Sequence, residues 1–139
     1  SSWLPFVLDR FLPRPARYRL VWSITTGANP FYAWEPIPPS DDFVALGCIG
    51  TKTDKPPDVR MMRCVCKHWC AESKIVKSIW NDSGSGGREG SIWLFNSLNL
   101  IGFVNGHDPP RRKPLDLKAH RFFLREYSCI KTNGIAPAK

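Results

Sequence analysis

The chain has 139 residues and a formal charge of +8, with a pI near 9.5. At 42% hydrophobic and 23% charged it is a globular composition, not a disordered one, and the length suits one domain or two small repeats sharing a core. No stretch approaches the roughly 18 apolar residues of a membrane-spanning helix. The start, Ser1-Ser2-Trp3-Leu4, has no basic-then-apolar secretory pattern. Thirteen Pro and ten Gly keep the elements short and the turns many, which favours strands over long helices. The basic balance favours an acidic partner: nucleic acid, an anionic membrane surface or an acidic protein.

In chain order, residues 1–17 form a basic lead; Arg10, Arg14, Arg17 and Arg19 fall near the start. A strand is expected over Tyr18 to Trp22, then a turn-rich linker from Thr25 to Pro30. Tyr32-Ala-Trp34-Glu-Pro36 follows, and Phe43-Val-Ala-Leu46 predicts a buried strand ended by Gly47. Pro56-Pro57 cannot donate ladder bonds and so closes an edge. Cys70 to Lys74 and Leu115 to His120 each suit a single helical turn. Beyond the connector at 71–74 a second strand pair is expected around Trp80 and Trp93, joined by the Gly/Ser-rich stretch after Asn81-Asp82.

These segments echo one another. Trp22 to Trp80 is an offset of 58, Trp34 to Trp93 of 59, Gly47 to Gly102 of 55, Pro56 to Pro109 of 53 and Arg63 to Arg121 of 58. Pro57 and Pro110 complete the two Pro pairs. Landmarks in one order at such a period mark a duplicated unit. The expectation is an all-β fold of short antiparallel strands, β-sandwich or β-prism-like, in one domain over 18–130. It holds two diverged repeats, 18–70 and 75–130, with a tail over 131–139. The missing initiator Met and the open-ended terminus suggest a piece of a larger polypeptide.

Candidate chemistry is sparse. Cys64-Val-Cys66-Lys-His68-Trp-Cys70 offers zinc-ligand types, but Cys64 and Cys66 flank one residue where paired ligands want two to four, and the other half-site is missing. With Cys48 and Cys129 the cysteine count is odd, so reduced thiols in a cytoplasmic protein are expected. His68, His107 and His120 come with no nucleophile motif. The glycine-rich loop lacks the Lys-Ser/Thr of a phosphate cradle. No catalysis, metal or cofactor is expected. The sharpest surface signal is Arg111, Arg112, Lys113, Lys118, Arg121 and Arg125, six basic residues against the single acid Asp116. They suit an anionic bilayer or RNA phosphates, or form a solvated face.

Phe31-Tyr-Ala-Trp-Glu-Pro-Ile-Pro-Pro-Ser-Asp-Asp-Phe-Val-Ala-Leu-Gly-Cys48, together with Ile79-Trp-Asn-Asp-Ser-Gly-Ser-Gly86 and Ser91-Ile-Trp93, resembles the Trp/Pro-marked repeats of the vacuolar protein sorting 13 family and the related vacuolar protein sorting 62 domain. The second copy departs from the pattern at Trp93-Leu-Phe-Asn-Ser-Leu-Asn-Leu100. The resemblance implies a non-catalytic module of a large lipid-transfer protein, cytoplasmic and peripheral to organelle membranes at contact sites. There it would dock an adaptor protein or anionic membrane lipids. A basic nucleic-acid-binding module is the alternative.

Overall fold

The computed structural model describes residues 3–25, 28–74, 76–81 and 89–118. Asp82, His120, Arg121, Arg125, Cys129 and the tail at 131–139 lie outside them.

The described strands are all antiparallel and fall into small sheets. β1 (Arg17–Ile24) and β2 (Phe31–Ile37) form a hairpin, and β4 (Ile49–Thr51) extends it on the other side of β2. β7 (Lys77–Asn81), β8 (Gly90–Leu94) and β9 (Ile101–Asn105) repeat that order. Two short ladders complete the set: β3 (Phe43–Val44) with β5 (Val65–Cys66), and β6 (Cys70–Glu72) with β10 (Leu115–Leu117).

The two three-stranded sheets share one register. Leu20 pairs with Trp34 as Ser78 pairs with Trp93, and Trp22 pairs with Ala33 as Trp80 pairs with Ile92. Each hairpin has its register shift just before the first Trp, between Leu20 and Trp22 and between Ser78 and Trp80. On the far side Trp34 faces Ile49, and Trp93 faces Gly102. Ile49 therefore corresponds to Gly102, at the same spacing of 53 as Pro56 and Pro109. The Gly47/Gly102 match is corrected: Gly47 lies ahead of β4 and Gly102 within β9. A Cβ on Gly47 would stand 2.9 Å from Leu100 Cβ, whereas one on Gly102 would strike the Phe95 ring at 1.8 Å. Similar dipeptides, Leu46-Gly47 and Ile101-Gly102, serve different contacts.

The core is largely indole. Trp22, Trp34, Trp69 and Trp93 are buried. Trp22 meets Trp80 edge-on, with ring centroids 5.8 Å apart, and the cluster continues through Phe31 to Phe103. The corresponding tryptophans of the two units thus touch each other. Their surroundings differ: Trp22 is 2% exposed and Trp80 41%, because every residue of β7 lies open to solvent. Of the four marker indoles, Trp22, Trp34 and Trp93 are buried and Trp80 is exposed.

Buried indole N–H groups need acceptors. Trp34 Nε1 donates to Thr51 Oγ1 at 2.8 Å, and Trp93 Nε1 donates to Ser91 Oγ at 2.8 Å. Thr51 is the cross-strand partner of Tyr32, and Ser91 that of Val104, and these two pairs correspond. The second unit keeps the bond while moving the hydroxyl to the opposite strand of the same pair.

Three local expectations are also corrected. The lead contains a helix, α1 (Trp3–Phe11). Pro5 sits in its first turn, where a missing N–H costs little, and Pro13 stops it. The two segments expected as helical turns are β6 and β10, which pair with each other and join the connector to the second unit.

Candidate functional site

β1, β2 and β9 each contribute lining residues to a groove of about 1160 Å³. Arg19, Val21 and Glu35 come from the first hairpin, and Phe103 and Val104 from β9. Two further stretches supply the banks: Pro36 to Cys48, from the end of β2 through β3, and Asp108 to Leu115, the loop that leads into β10. The first bank carries Pro36, Pro38 and Pro39, the second Pro109, Pro110 and Pro114. A fixed φ and no N–H make these segments stiff and leave few backbone donors to satisfy.

The charges are laid out unevenly. Arg19 and Glu35 are cross-strand partners and form an ion pair within the groove. Arg111, Arg112 and Lys113 stand exposed on the second bank between Pro110 and Pro114. Lys113 also reaches Glu72 at 3.4 Å, an exposed pair worth little to stability. Asp41 and Asp108 supply acid on either bank.

One side chain ties the banks together. Asn96 is fully buried; its amide donates to Leu46 O at 2.7 Å and Leu115 O at 3.1 Å. Its Oδ1 accepts from the Leu98 and Leu100 amides, each at 3.2 Å. Beside it Asp116 accepts from the Ser97 amide and hydroxyl, both at 2.9 Å. Burial raises the Asp116 carboxyl, but these bonds and the Leu117 amide outweigh it and hold the group below the usual range.

Of the basic residues singled out from sequence, Arg111, Arg112 and Lys113 converge on the groove. Lys118 does not; it is half-buried, with its amide donating to Trp69 O at 2.8 Å. Among the markers, Pro36, Gly47, Pro109 and Pro110 line the groove, while Pro56 and Pro57 do not. Asn96 was missed, since an Asn between Phe95 and Ser97 signals only a turn.

Among the described residues no group of three or more potential metal-ligating side chains converges. Burial pushes the Cys48, Cys64 and Cys70 thiols from 9.0 up to about 11. Cys66 is disulfide-bonded, which corrects the expectation of reduced thiols throughout. Disulfides persist in oxidising compartments, so the cytoplasmic expectation loses the support it drew from the cysteines. None of the described helices is long and apolar enough to cross a membrane.

The sequence profile of vacuolar protein sorting-associated protein 62 matches residues 6–98, which covers the first unit and the second hairpin. The chain belongs to the vacuolar protein sorting-associated protein 62 family. That family match does not extend to the vacuolar protein sorting 13 family. No curated protein matches the chain. Among solved structures, the chain is similar to GNIP1Aa from Chromobacterium piscinae, with a TM-score of 0.67 at 21% identity. The likeness covers 91% of this chain but 29% of GNIP1Aa, so it shows the fold alone, and the fold occurs there within a longer polypeptide.

Proposed function

We propose that this vacuolar protein sorting-associated 62 chain is a non-catalytic docking module, and that its groove seats an extended acidic segment of an adaptor protein. The observation that carries the reading is the union of a groove of about 1160 Å³ with a cationic bank, Arg111 to Lys113, held between prolines. Stiff walls reduce the ordering cost of binding. Arginine forks hold carboxylates by two parallel bonds, which suits acidic side chains on an extended strand. Phe43, Phe95 and Phe103 offer apolar surface for the residues between them. In a large lipid-transfer protein at organelle contacts, the setting implied by the sequence resemblance, such a module recruits the parent chain to its adaptor.

Fluorescence anisotropy with a labelled peptide alternating Glu and Leu tests this. Arg111→Glu with Arg112→Glu is expected to weaken binding by well over tenfold, since two charge-assisted bonds at about 1.5 kcal/mol or more each are lost. Unchanged affinity in that variant, or equal binding of a Lys/Leu peptide, would contradict the proposal. A stronger affinity for single-stranded RNA would favour the nucleic-acid alternative.

A further inference from the structure

A second surface, away from the groove, has a different chemistry. α1 buries none of its residues: Trp3 is 63% exposed, Phe6 62% and Leu4 46%. Val7, Leu8 and Phe11 are half-buried, so one face of the helix packs while Trp3, Leu4 and Phe6 stay in water, where exposed apolar area is costly. The helix is nevertheless held in place. Arg63 donates to Asp9 at 3.0 Å and to Leu12 O at 2.9 Å, and the Cys64 amide donates to Pro13 O at 2.7 Å.

The segment that holds it repeats its character. Met61, on the short 3-10 turn Val59–Met61, is 65% exposed. Arg14 joins the two segments by donating to Arg60 O at 2.8 Å. Two stretches some fifty residues apart in sequence therefore meet, and each carries exposed apolar side chains together with arginines, Arg10 and Arg14 on one and Arg60 and Arg63 on the other. The acids there are Asp9 and Asp58, and both are engaged by these arginines. Arg10 lies over the Phe6 ring, 5.9 Å from its centroid. Arginine stems that snorkel beside Trp, Phe and Leu are the signature of a helix lying in a headgroup layer.

We infer that α1 and the Val59–Met61 turn form a membrane-surface site, with Trp3, Leu4, Phe6 and Met61 entering the interface of an anionic bilayer and the surrounding arginines meeting lipid phosphates. A bilayer fits better than a protein groove because the exposed apolar side chains come from two separate elements, and the four arginines on these segments outnumber the two acids, Asp9 and Asp58. The whole chain is basic as well, at +8. This inference is independent of the peptide groove.

The test is flotation of the full chain with phosphatidylcholine vesicles, with and without phosphatidylserine, and with brominated lipid to quench inserted indoles. Flotation with serine lipid is expected, together with quenching that disappears in Trp3→Phe. Trp3→Ser with Phe6→Ser changes only exposed positions and is expected to lower partitioning at least tenfold while leaving circular dichroism unchanged. Arg14→Gln with Arg60→Gln is expected to remove the preference for serine lipid. No flotation of the wild type, quenching independent of Trp3, or a Trp3/Phe6 variant that floats like wild type would each overturn the inference. Flotation abolished by Arg111→Glu with Arg112→Glu but unaffected at α1 would also overturn it, by moving the contact to the groove.

Discussion

Replacing Asn96 by Ala is expected to loosen both banks of the groove at once. The side chain is fully buried and makes four hydrogen bonds, two given to Leu46 O and Leu115 O and two received from Leu98 N and Leu100 N. A net worth of about 1 kcal/mol each, less for the two at 3.2 Å, suggests a loss of about 3–4 kcal/mol. At about 3 °C per kcal/mol for a chain of this size, the midpoint falls by roughly 10 °C. Ser97→Ala is the control: it removes one exposed bond to Asp116 and should cost about 1 kcal/mol or less. Calorimetry or thermal circular dichroism reads both. Equal losses in the two variants, or a fall of under about 3 °C for Asn96→Ala, would refute the role given to this residue.

Gly90→Ala places a Cβ 2.3 Å from the buried Trp22 indole, so a destabilisation of about 3 kcal/mol or more is expected in urea unfolding. Ser91→Ala removes the acceptor of Trp93 and should cost about 2 kcal/mol; adding Val104→Thr should restore part of it, because the first unit uses that position through Thr51. The rescue is incomplete because Ser91 also donates to Gly106 O. Cys48, Cys64 and Cys70 should alkylate slowly near pH 8 in the native state. Their raised values mean stability is intact below the ordinary thiol range and is lost as pH rises from 9 to about 11, which urea midpoints across that window will read. In denaturant without reductant, the chain should titrate fewer than the five thiols of its sequence, because Cys66 is disulfide-bonded.

The like strand order of the two three-stranded sheets could be anticipated because large rings are rare and Trp22 and Trp80 sit at matching register positions. Trp22 and Trp80, or Pro56 and Pro109, keep their spacing because the hairpins and their exits keep their geometry. The exposure of Trp80 was not legible. Burial at that register depends on what packs against the strand: β1 is partly covered, whereas every residue of β7 lies open. α1 was hidden by its prolines, which read as loop unless their places in the first turn and past the last one are known. β6 and β10 are three residues each, too short for a period to show, and exist through each other. Of the groove, the basic triplet was visible and its concave setting was not. That setting depends on Asn96 reaching carbonyls far along the chain in both directions.

Amide chemical-shift mapping of the labelled chain during titration with the Glu/Leu peptide bears most directly on the docking role. Perturbations gathered on residues 36–48 and 103–115, saturating with a single affinity, are the predicted result. Shifts spread evenly over the basic surface, or confined to other strands, would contradict it.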